Sequence, residues 1–137
     1  ALESEGQIEA LEALGKQLAM HIAAARPLFV AVSDIDEGSL ARERDVLTAQ
    51  ARESGRPEEI IEKMVEGRMR KYYEEVALLE QVFVIDNETK VSKVLENAAK
   101  EIGSFVALKG FVRYTLGEGI EKAEENLADE VAATLAG

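Results

Sequence analysis

The amino-acid sequence predicts a helix-rich α+β protein. In it a small antiparallel sheet packs with helices and is interrupted by an antiparallel helical hairpin, a coiled coil. Three observations carry this reading. Apolar residues recur every three or four positions over four long stretches, which is the spacing of one helix face. Two runs, Gln81–Ile85 and Phe105–Leu116, change to β-rich or alternating patterns, the period of a strand. Ser54-Gly55-Arg56-Pro57 then separates two helical stretches by a turn so short that they must run antiparallel.

Taken in order, Ile8, Leu11, Leu14, Leu18 and Ile22 form one stripe of a helix over 7–25, which ends before Pro27 because a residue preceding proline is pushed out of the α region. Leu28 to Val32 is a short extended apolar stretch. Ser33 or Asp34 is expected to cap the next helix, over 39–53, with Asp34, Asp36 and Glu37 suiting its N-terminus. Gly55 suits a left-handed position and Pro57 the first turn of a further helix over 57–79. The seam of that helix is Ile61, Val65, Arg68, Tyr72, Val76 and Leu79, close to a heptad pattern. The first arm of the hairpin is weakly apolar, so the pair is expected to project.

The run Gln81-Val82-Phe83-Val84-Ile85 reads as a strand closed by Asp86-Asn87. Val91, Val94, Leu95, Ala98 and Ile102 return to helical spacing up to Gly103. From Phe105 to Leu116 a half-buried strand is expected, with Val106, Leu108, Val112, Tyr114 and Leu116 on one side and a bend at Gly110. Ile120, Ala123, Leu127, Val131 and Leu135 form a last amphipathic stripe. Two strands make a poor sheet, so a third is expected upstream of Ala1. With no initiator Met, the chain reads as a piece of something longer.

The 137 residues carry 16 Lys and Arg against 27 Asp and Glu, a net charge of −11, which argues against a nucleic-acid partner. Hydrophobic residues make up 47%, enough for a packed core. The absence of cysteine excludes disulfides, thiolate metal sites and cysteine nucleophiles, and leans towards a cytoplasmic location. No apolar run approaches the roughly 20 residues that span a bilayer, so no membrane association is expected.

Candidate chemistry is sparse. His21 is the single histidine, and without companion ligands it reads as structural or surface-lying. The acidic groups Asp34/Asp36/Glu37, Glu58/Glu59/Glu62, Glu74/Glu75 and Glu124/Glu125 lack the spacing of a calcium loop and read as solvated helix faces. Gly117-Glu118-Gly119 lacks the lysine of a phosphate loop. Arg68, Arg70 and Lys71 beside two tyrosines share their helix with many glutamates, which favours a solvated face over an RNA contact. The residues therefore point to a protein-binding module with no catalytic residues, cofactor or metal, and not to an enzyme.

Specific strings add to this. His21-Ile22-Ala23-Ala24 with Arg26-Pro27, the string Ser54 to Met69 (SGRPEEIIEKMVEGRM), Gln81-Val82-Phe83-Val84, and Leu116-Gly117-Glu118-Gly119-Ile120-Glu121-Lys122 resemble bacterial translation elongation factor Ts, in the same order. That family is the guanine nucleotide exchange factor of elongation factor Tu, a cytosolic GTPase of protein biosynthesis. The resemblance implies that this chain corresponds to the C-terminal half. Residues 1–30 and 80–116 would form the core C-subdomain, 31–79 the inserted hairpin or dimerisation domain, and 117–137 a C-terminal helical module. It also implies that Gln81, Phe83 and Val84 lie in a contact with elongation factor Tu, and that the last helix contributes Leu127, Val131 and Thr134. Val82 departs from the family's usual proline, and Thr134 from a larger apolar residue. The family's N-terminal helical domain and its Thr-Asp-Phe motif, which wedges beside the nucleotide's magnesium and phosphates, are not found in these residues. Weak binding and little exchange are the expectation. The alternative is a self-associating coiled-coil scaffold, a homodimer joined through the exposed seam of 57–79.

Overall fold

The computed structural model describes residues 1–6 and 8–116. The elements run β1 (Leu2–Glu3), α1 (Ile8–Ala25), α2 (Glu37–Arg52), α3 (Glu58–Val76), α4 (Val91–Ile102) and β2 (Ala107–Leu108), with 3₁₀ turns at Val32–Asp34 and Leu78–Glu80. The expected residues 117–137, with Gly117-Glu118-Gly119, Leu127, Val131 and Thr134, lie outside the described residues.

The architecture is α+β, as the patterning predicts, and the four helices fall within a few residues of their expected bounds. Each boundary has a local cause. The last turn of helix α1 is closed by the Arg26 N–H, which donates to the Ile22 carbonyl at 3.0 Å just before Pro27. Helix α4 ends on Gly103 at φ 72°, a left-handed position where a missing Cβ removes the steric penalty. The cap of α2 differs from expectation: Asp36, and neither Ser33 nor Asp34, accepts the Ser39 N–H at 2.8 Å. Asp34 is engaged one turn earlier, where its carboxylate accepts the Ala31 N–H. Pro57 stands one position before α3 rather than inside its first turn.

Helix α3 stops at Val76, three residues short of its expected end. The Val76 carbonyl accepts from Leu28 and Phe29, and Leu78 donates to Phe29 at 2.9 Å, so the backbone turns extended to bridge Phe29 with Ala77. This parallel bridge accounts for the extended apolar stretch after Pro27, and it joins the base of the hairpin to the end of α1.

The sheet also differs from expectation. It has two strands, β1 and β2, antiparallel, with Leu2 opposite Leu108 and Glu3 opposite Ala107. Residues 2–3 have no alternation to betray them. Gln81–Ile85 is not a strand but a loop with one antiparallel bridge, Val82 to Lys90, because the chain turns back at Asp86 and α4 starts at Val91. Beyond Gly110 the expected alternation inverts: Phe111 packs towards the core, whereas Val112, Tyr114 and Leu116 are exposed.

Two separate apolar clusters result. One gathers Leu14, Leu18 and Ile22 of α1 with Leu78, Phe83, Val91 and Leu95. The other sits inside the hairpin, where Ala51 of α2 meets Ile61, Val65 and Met69 of α3. The seam therefore runs through Met69 and not Arg68. Arg68 is half-exposed at the flank, with its Nη1 3.4 Å from the Gln50 Oε1 across the hairpin. No helix among the described residues is long and apolar enough to cross a membrane.

Candidate functional site: the Gln81–Ile85 loop

The loop lies where α3, α1 and α4 meet, and its backbone is secured at both ends. Val91 donates to the Gln81 carbonyl at 3.0 Å, Phe83 to the Thr89 carbonyl at 2.8 Å, and Asn87 to the Phe83 carbonyl at 2.8 Å. The return is shaped by Asp86, whose Oδ1 accepts the N–H groups of Glu88 and Thr89 at 3.0 and 3.1 Å. Those hydrogen bonds, with Thr89 the largest influence, hold the Asp86 carboxyl below its ordinary value. Asn87 adopts φ 55°, which asparagine tolerates better than most residues.

The side chains alternate although the backbone forms no strand. Gln81 (5% exposed) and Phe83 (4%) point inward, while Val82 (48%) and Ile85 (49%) face outward. Val84 is half-buried. The sequence reading names Gln81, Phe83 and Val84 as contact residues; the first two are internal, so the surface of the segment belongs to Val82 and Ile85. A period of two already separates 81 and 83 from 82. That signal alone could have found Val82.

His21 holds the inward face. It is fully buried and has two partners on this loop: its Nδ1 accepts the Val84 N–H at 3.2 Å, and its Nε2 lies 2.9 Å from the Gln81 Oε1. A ring nitrogen that accepts a backbone N–H cannot itself carry a proton, so the hydrogen sits on Nε2 and is donated to Gln81. Gln81 in turn donates through its Nε2 to the Glu75 carbonyl near the end of α3, at 2.8 Å. The Phe83 ring stands 5.8 Å from the imidazole, tilted by 37°. The chain Val84–His21–Gln81–Glu75 thus ties the loop to α1 and to the base of the hairpin, and among the described residues no buried side-chain nitrogen or oxygen lacks a partner. The sequence has no signal for this, because the partners are 60 and 63 positions away from His21.

A second tie lies at the surface. Lys90 reaches Glu80 at 2.8 Å and Glu74 at 3.7 Å, and its hydrogen bond to Glu80 raises its pKa. All three side chains are well exposed, so this triad orients more than it stabilises. Among the described residues, no three His, Asp or Glu side chains gather where they could hold a metal ion.

The fold and this loop define a class: an α+β module with a helical hairpin inserted between α1 and α4, displaying a braced apolar loop. Comparison with known proteins places it within that class. The family model described as Elongation factor TS matches residues 2–118, and this chain belongs to that family. The Elongation factor Ts of Rhodospirillum centenum is 65% identical over 133 residues, covering 97% of this chain and 43% of that protein. That of Paramagnetospirillum magneticum is 63% identical over 133 residues, with the same shares. The Bartonella tribocorum protein is 51% identical over 137 residues, all of this chain and 45% of the relative. The chain thus spans less than half the length of these curated relatives.

Proposed function

We propose that this chain is a docking module for elongation factor Tu, acting in translation as part of its guanine nucleotide exchange factor and not as an enzyme. The observation that carries the reading is the His21-braced loop, which presents Val82 and Ile85 with half-buried Val84 between them, while Gln81 and Phe83 hold it from inside. Family membership supplies the identity of the partner. Leu127, Val131 and Thr134 complete the proposed contact from the C-terminal stretch. The proposed division into a core of 1–30 and 80–116, a hairpin of 31–79 and a module of 117–137 draws support from the two apolar clusters. A cytoplasmic location suits a translation factor.

Exchange requires a factor to bind the nucleotide-free GTPase more tightly than the nucleotide-bound form. These residues hold no Thr-Asp-Phe wedge, so the module supplies attachment more than discrimination. Calorimetric titration into GDP-bound and nucleotide-free elongation factor Tu tests this. Similar binding to both forms is expected, together with slow GDP release in stopped flow. Near-full acceleration of release would overturn the assignment of exchange power to the wedge.

The homodimer alternative rests on an exposed seam along 57–79, and the seam is not exposed. Ile61, Val65 and Met69 are buried against α2 of the same chain. Val46 and Ile60 are the large apolar residues left open on the hairpin.

A further inference from the structure

Beside the braced loop lies a groove of about 540 Å³ lined by α1 and α4 and by Phe83 and Ile85 of the loop. Small residues on both helices line it, Ala13 on α1 and Ala98 on α4, together with Leu14. A longer side chain at 13 or 98 is expected to reduce this space. The rim is acidic: Asp86 and Glu101 line the groove, and no Lys or Arg does so among the described residues. The Thr89 side chain and the backbone N–H groups of Glu88 and Thr89 hold the Asp86 carboxyl below its ordinary value. A phosphate or carboxylate ligand would meet these two like charges in a chain of net charge −11. The space suits an apolar side chain, and the rim suits a cation next to it.

We propose that this groove seats an apolar side chain from a protein segment that carries an adjoining Lys or Arg, with Ile85 shared between the groove and the exposed loop. The inference rests on the reading given above and deepens it: the segment belongs to elongation factor Tu, and the groove extends the loop contact across α1 and α4. Val82 and Ile85 alone offer a small contact. A concave seat beside them supplies the buried anchor that most stable interfaces need.

The test uses the full chain, titrated with nucleotide-free elongation factor Tu at low and high salt. Ala13→Leu fills the groove from an exposed position on α1, and Ala98→Leu fills it from α4. Each is expected to weaken binding about tenfold or more. Glu101→Lys is expected to weaken it about threefold and to flatten its salt dependence. Val46→Ala, on the far hairpin, should stay within about twofold of the parent. Circular dichroism and thermal melting check folding, and two filling variants on different helices keep one informative if the other fails to fold. Binding by the parent with both filled variants unchanged would overturn the groove and leave the docking assignment standing. No binding by the parent would overturn the docking assignment, and the groove proposal with it.

Discussion

The hairpin and the core are built from similar side chains but by different routes. In the hairpin, Ala51 meets Ile61, Val65 and Met69, all within about twenty positions of sequence. In the core, Leu14 and Leu18 meet Phe83, Val91 and Leu95, so a long loop must close before any of these contacts forms. Helix α2 makes its main packing with α3, whereas the core draws on segments from either side of the hairpin in sequence. The hairpin therefore resembles a local unit on a stalk, and the core a structure that exists only once distant segments have met. Local contacts make a region legible and quick to form; distant ones make it dependent on the whole chain.

The largest effect should come from Leu18→Ala, which removes a nearly fully buried side chain at the centre of the core. A loss of about 2–5 kcal/mol in urea denaturation is expected, with helical signal falling across the whole molecule. Met69→Ala should cost about 2–3 kcal/mol, and its signature should be regional. Hydrogen exchange should speed up in α2 and α3 while α1 and α4 keep their protection. Equal loss in α1 would break the comparison, because the two clusters would then unfold as one.

His21→Ala probes the tie between the regions. It strands the Val84 N–H and the Gln81 amide, and about 1–3 kcal/mol is expected from the unsatisfied groups. Exchange should quicken at Val84 more than at Met69; the reverse would show that the imidazole is merely filling space.

The smallest effects are electrostatic, and each region has one. Ser39 hydrogen bonds hold the Asp36 carboxyl of the hairpin below its ordinary value of 3.8. Thr89 and Glu88 do the same for Asp86 in the core loop. A depressed carboxyl binds its proton more readily in the unfolded chain, so its stabilisation is present above about 3.8 and is lost as pH falls through the folded value. Asp36→Asn should reduce the acid sensitivity of hairpin exchange, and Asp86→Asn that of the loop. A change in the opposite region would show coupling beyond the tie through Gln81 and Glu75.

Legibility in the sequence follows the same division. The helices were readable because each buries one face at a period of 3.6, and Gly55-Arg56-Pro57 marks the return of the hairpin directly. The seam was misplaced by one residue at Arg68, since a long cationic side chain at the flank occupies the same heptad position that a buried Met69 neighbours. In the loop, the alternation of Gln81, Val82 and Phe83 predicts a strand, but a β-rich run carries no mark of whether a partner strand exists. The leading contact candidates were drawn from a family string. A string orders residues without saying which of them face outward.

Spacing and composition within a few residues fix the helical elements, their turns and the acidic, cysteine-free character of the chain. The pairing of two dipeptides, Leu2–Glu3 and Ala107–Leu108, into a sheet arises only in the folded chain. Folding also sets His21 against a loop some sixty positions away, and opens a groove lined by Ala13 and Ala98. Those features are contacts between segments with no local signature, and they come into being only when chain closure has brought the segments together.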